Sequence, residues 1–153
     1  MKRRTIEEIA KTARVENTHT QMGIPGWALR RRRLERLATL LESAREPVRL
    51  FTTMECYRRR ERLALRQAGS PLSIAFQDDA LRREGLADDS VGAAVDFFGL
   101  SMREAHALLC DCGYGGLALI GRPIAHLVAS RARGLAAKRS IAELRFRLAE
   151  WLS

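Results

Sequence analysis

The side chains able to do chemistry in this sequence are few and bunched. His106, Cys110 and Cys112 form one concentrated set, and His106 and Cys110, four residues apart, share a helical face. Cys56 is the remaining thiol and a conceivable fourth ligand. The set lacks both a Cys-x-x-Cys pair and a spaced histidine pair, so it matches no common zinc pattern and metal is not the expected role. Thiol catalysis is disfavoured too, because Cys110 and Cys112 fall at a helix C-terminus beside Asp111, where dipole and carboxylate both oppose a thiolate. The adjacent pairs Asp78-Asp79 and Asp88-Asp89 point apart on a helix and read as caps or surface charge. Gly113 to Gly116 lacks the Lys and the Ser or Thr of a phosphate-binding loop. The expectation is a non-enzymatic protein with no cofactor.

Charge is the stronger signal. The chain carries 27 Lys and Arg against 18 Asp and Glu, a net +9. Residues 27–66 hold 12 basic against 5 acidic residues, an excess of +7, while residues 67–153 hold 10 of each. Two runs make up the excess: Arg30, Arg31, Arg32 and Arg33, and Arg58, Arg59, Arg60 and Arg62. A guanidinium bonds two phosphate oxygens at once, so such clusters suit nucleic acid or another polyanion through salt-dependent, sequence-blind contacts. The same runs also fit an ordinary solvated face, with Glu35, Glu42, Glu55 and Glu61 balancing part of the charge, or an amphipathic helix lying on acidic lipid.

The elements that must position these residues are helical. The sequence of 153 residues is 46% hydrophobic and only 6% aromatic, long enough for one core and poor in strand formers. Residues 5–14 open with Thr5 and Glu8 at capping-box spacing and put Ile6, Ile9, Ala10 and Ala13 on one face; Gly23, Pro25 and Gly26 then break the pattern. Residues 1–26 therefore read as a short amphipathic helix with a flexible connection, free or docked on a partner subunit, and residues 27–153 as a single helical domain.

Within that domain Leu34, Leu37, Ala38 and Leu41 mark a helix over 27–44, and Met54, Tyr57, Ala64, Leu65 and Ala68 the inward face of a second over 51–68. Ser70-Pro71 starts a third that runs to Glu84 and stops at Gly85. Val91 to Phe98 and Met102 to Leu109 follow, then a helix from Pro123, and a last one capped by Ser140 with Glu143 that carries Ile141, Leu144, Leu148 and Trp151. The sum is an all-α irregular bundle of about seven or eight helices.

Val91 to Leu109 resembles the helix-turn-helix of bacterial DNA-binding regulators, with Gly99 at the turn, Leu100 and Ser101 after it, and the small Ala105 where the second helix packs on the first. The resemblance spans about 20 residues and implies a reading helix that begins near Ser101. Its charge is wrong for that task. Between Gly85 and Cys112, Arg103 is set against Asp88, Asp89, Asp96, Glu104 and Asp111, and the donors on offer are Ser101, Arg103 and His106.

Met1 to Lys11 lacks the apolar stretch of a secretory signal, no run approaches the roughly 20 apolar residues of a membrane span, and three cysteines read as reduced thiols. The expected setting is cytoplasmic, with no membrane. The leading expectation is a regulatory or adaptor protein that binds nucleic acid or an acidic protein surface through its Arg-rich helices. The alternative is a structural or protein-protein interaction module, a homo-oligomer with no nucleic-acid role, using Trp27 and the leucine stripe of 27–44 as interface.

Overall fold

Residues 26–57, 61–115, 123–138 and 141–152 are described by a computed structural model of the chain. The first described helix, α1 (Gly26–Glu42), packs one face on the core and leaves Glu35, Arg36, Thr39 and Glu42 exposed. It buries Leu29, Leu34, Leu37, Ala38 and Leu41, the stripe that the 3- and 4-residue spacing requires. Its main partner is α7 (Ile124–Ala137), which presents Ala125, Val128, Ala129, Ala132, Leu135 and Ala136. Four alanines on one face let the two backbones approach closely, and the larger leucines of α1 fill the space between them. The leucine stripe is thus core, not the interface that the alternative reading assigned to it.

The segment after α1 departs from the sequence expectation of one long helix. Its described residues form α2 (Thr53–Tyr57) and a 3-10 turn at Arg62–Ala64, with the backbone extended at Leu65. Met54, Ala64 and Ala68 are exposed rather than inward. Both ends of the segment are held by other elements. The Phe51 N–H donates to the Leu109 carbonyl at 3.0 Å and the Asp111 N–H to the Phe51 carbonyl at 2.9 Å, while the Val91 N–H donates to the Leu65 carbonyl at 3.1 Å. With Phe51 fully buried, these long-range bonds override the helical propensity of the residues between them.

Ser70 caps α3 (Pro71–Gln77) by accepting the Ser73 N–H at 3.1 Å, as its Ser-Pro chemistry predicts. The helix expected to continue to Glu84 is broken at Asp78. That residue takes an extended conformation and uses its carboxylate as the N-cap of α4 (Asp79–Arg83), accepting the Leu81 N–H at 3.0 Å. Two short helices follow. Ser90 caps α5 (Val91–Phe98), Gly99 ends it at φ 60°, and Ser101 with Glu104 forms the full capping box of α6 (Met102–Leu109). The chain closes with α8 (Ile141–Leu152).

Among the described residues there are eight α-helices, two 3-10 turns and no strand, an all-α irregular bundle. One hydrophobic core runs from Leu34 to Ala136.

Candidate functional site

The first arginine run is built into the fold. Successive residues of a helix are about 100° apart, so four in a row sweep most of a turn. Around α1 every direction they take meets the C-terminal end of another helix, where carbonyls lack intrahelical partners. Arg30 donates to the carbonyls of Gly99 at 3.2 Å and Leu135 at 3.3 Å, and to Glu104 at 3.2 Å. Arg31 donates to the Ala136 carbonyl at 3.2 Å and to both oxygens of Glu143 at 3.1 Å, with its guanidinium over the Trp27 ring. Arg33 donates to the carbonyls of Phe97 at 2.7 Å and Glu84 at 3.2 Å, and to the Glu84 carboxylate at 3.1 Å, and lies 4.0 Å from the centre of the Phe97 ring. Arg32, the most exposed of the four, pairs with Glu84 at 2.9 Å. The run thus caps α4, α5 and α7 with positive charge at the negative ends of their dipoles.

The pattern continues outside the run. Arg36 pairs with Asp78 at 2.7 Å, Arg66 with Asp88 at 2.9 Å, and Arg133 with Glu42 at 2.6 Å. The hydrogen bond from Arg36 holds the Asp78 carboxyl below its usual range, and that from Arg133 does the same for Glu42. Burial opposes ionisation of Glu104, yet bonds from the Ser101 backbone and hydroxyl, with Arg30 and Lys138 nearby, leave its pKa lowered.

The charge is partitioned accordingly. The described residues carry 17 basic against 15 acidic side chains, an excess of +2, so +7 of the chain's +9 lies outside them. Arg58, Arg59 and Arg60 of the second run lie outside the described residues. Arg62 is half-buried, and its Nε has no hydrogen-bond partner among the described residues.

The helix-turn-helix-like stretch forms the hairpin α5–α6. Ser101 is occupied by the capping box, His106 is half-buried and Arg103 exposed. The open cleft of about 660 Å³ beside it is lined by Ser101, Arg103, Glu104, Arg131, Leu135 and Lys138. Three of its charged groups have partners in the fold: Glu104 faces Arg30 and Lys138, and Arg131 donates to the carbonyls of Ala107 and Gly113. Gly113 packs so tightly on the Ala107 carbonyl that a Cβ there would collide with it.

The cysteines depart from the expectation of three reduced thiols. Cys110 is buried and disulfide-bonded, whereas Cys112 is free and exposed, with its Sγ 3.6 Å from Nε2 of His106. A sulfur committed to a disulfide cannot serve as a thiolate ligand, and among the described residues no group of three metal-holding side chains occurs.

The feature that sequence reasoning missed is the outer face of α8. Glu143 is buried on Arg31, but Leu144, Leu148 and Trp151 are 43%, 58% and 83% exposed. The 3-4-3 spacing of Ile141, Leu144, Leu148 and Trp151 marks an apolar stripe; nothing in the spacing says that Leu144, Leu148 and Trp151 face outward. No described helix is long and apolar enough to cross a membrane. The sequence matches no family model, no characterised protein and no solved structure.

Proposed function

We propose that this chain is a non-enzymatic helical interaction module that pairs with a second copy of itself through the apolar face of α8. The observation that carries this reading is the row Leu144, Leu148 and Trp151, exposed along one side of a helix whose other side is anchored by the buried Glu143 on Arg31. Exposed aromatic and leucine side chains in a contiguous stripe are what contact surfaces present. A second copy suits the stripe because its register is self-complementary. In an antiparallel pair about a two-fold axis between residues 147 and 148, Leu144 stands level with Trp151 of the other copy. Two helices of 12 residues bury a small interface, so the pairing is weak and concentration-dependent.

Mass by sedimentation across a concentration series tests this. A monomer-dimer equilibrium is expected for the native chain and a monomer for Leu148→Glu. A native chain that stays monomeric at millimolar concentration would overturn the reading.

A second reading, nucleic acid or another polyanion as partner, is favoured by the location of the surplus charge. The arginines from Arg30 to Arg33 already hold partners in the fold, but Arg58, Arg59, Arg60 and Arg62 remain candidates, together with the basic residues of 1–25. Binding of labelled duplex DNA or single-stranded RNA near physiological salt, lost on replacing Arg58 to Arg60 with Gln, would support it; binding that vanishes with modest salt in both proteins would remove it. The proposed compartment is the cytoplasm, where ambient thiols would hold the Cys110 disulfide in exchange rather than as a permanent staple.

A further inference from the structure

We propose that Cys112, His106 and Cys110 form a thiol-disulfide exchange site, in which the exposed Cys112 thiol passes exchange with small external thiols inward to the buried disulfide at Cys110. Three features converge. The first is access: Cys110 is only 3% exposed, so an external thiol does not reach its sulfur directly, whereas the free Cys112 two residues on is open to solvent. The second is a base. The Sγ of Cys112 lies 3.6 Å from Nε2 and 3.9 Å from Nδ1 of His106, close enough for the imidazole to take the thiol proton.

The third is positive charge. Arg62 lines the same small pocket as His106 and Cys110, and its Nε is the buried donor without a hydrogen-bond partner among the described residues. A guanidinium there places positive charge beside His106 and Cys110, at the disulfide end of the exchange. The Asp111 carboxylate is itself engaged, accepting from the Thr53 hydroxyl at 2.7 Å.

The internal step balances without an added oxidant. His106 accepts the proton of Cys112, and the thiolate attacks Sγ of Cys110. A Cys110–Cys112 bond forms as the existing bond of Cys110 breaks, and the released sulfur leaves with the electron pair and takes the proton back from His106. One disulfide is present before and after. Two residues apart, the Cα atoms lie within roughly 7 Å, at the edge of the range a disulfide spans, so the new bond is the more strained and the more easily reduced of the two. An external dithiol then reduces it, giving up two electrons and becoming a disulfide itself. The chain thereby loses the covalent tie at Cys110, next to the backbone bonds that hold Phe51 to Leu109 and Asp111.

The test is disulfide mapping by mass spectrometry of the full chain, equilibrated in glutathione buffers of graded ratio, quenched with acid and alkylated. A Cys110–Cys112 linkage is expected at intermediate ratios, with the free thiol moving from Cys112 to the sulfur that Cys110 releases. The rate of Cys110 reduction by dithiothreitol should fall at least tenfold in Cys112→Ser, and alkylation of native Cys112 should slow several-fold in His106→Gln. Cys112 as the sole free thiol at every ratio, or a reduction rate unchanged in Cys112→Ser, would overturn the proposal. So would a Cys110 that never enters a disulfide under oxidising glutathione.

Discussion

Helices α1 and α8 are built from the same materials, leucines at 3- and 4-residue spacing with arginines between them, and the fold uses them in opposite ways. In α1 Leu34, Leu37 and Leu41 are fully buried and the guanidinium heads end on carbonyls and carboxylates of five other elements. In α8 the comparable residues Leu144 and Leu148 stand in solvent with Trp151, while the buried carboxylate of Glu143 is held by Arg31 of α1. Amphipathic spacing specifies a helix with one apolar face; what covers that face is decided by where the chain places the helix. Runs of charge behave the same way, since an arginine run beside three helix C-termini is a set of caps, and the same run beside solvent would be a binding patch.

The largest effect should come from opening the core under α1. Leu37→Ala is expected to cost about 2–5 kcal/mol of unfolding free energy, whereas Leu148→Ala should leave the monomer's unfolding midpoint almost unchanged, both read from thermal or denaturant melts. Equal losses at the two positions would erase the contrast. Next is the tie between the two helices: Glu143→Ala leaves Arg31 without its carboxylate and should cost about 2–3 kcal/mol, with faster hydrogen exchange confined to α8.

Smaller effects separate the arginines from one another. Arg33→Lys should cost about 1–2 kcal/mol, because an ammonium cannot reach Glu84 and the Phe97 carbonyl together or stack on the Phe97 ring. Arg32→Lys should cost about 0–1 kcal/mol, since its guanidinium is 47% exposed. If the run were a solvated face, the two substitutions would be equally silent.

Acid should act mildly and in one direction. Asp78, Asp88, Glu42 and Glu104 all have lowered pKa values in the fold, through Arg36 at Asp78, the Ser90 hydroxyl and N–H at Asp88, Arg133 at Glu42, and the bonds that outweigh burial at Glu104. Their stabilisation is fully present above the ordinary values, 4.5 for Glu and 3.8 for Asp, and is lost as pH falls through the lower folded values. Melting midpoints should therefore be flat from neutral pH down to about 5 and decline below that; a midpoint that rises on acidification would contradict the assignment of these pairs.

Much of the fold was readable from local chemistry. Ser70-Pro71, the Ser101 and Glu104 capping box, Gly99 and the stripe of α1 act within a few residues, so their spacing carries the information. The unreadable parts depend on distant partners. The helix expected over 51–68 gives way to backbone bonds with Leu109, Asp111 and Val91, and the break at Asp78 leaves a carboxylate free both to cap α4 and to meet Arg36. The roles of Arg30 to Arg33 and the exposure of Leu144, Leu148 and Trp151 rest on packing between elements far apart in sequence, which composition does not encode.

The central claim, that the outer face of α8 is a surface this chain covers with a second copy while α1 is already satisfied, is tested most directly by the fluorescence of Trp151 in a Trp27→Phe background. With iodide as quencher, Trp151 should be freely accessible in dilute protein and become shielded and blue-shifted as concentration rises, in step with the change in mass. Full accessibility at every concentration would contradict the account, and shielding already complete at the highest dilution would contradict it too, by showing that the chain's own residues cover the face.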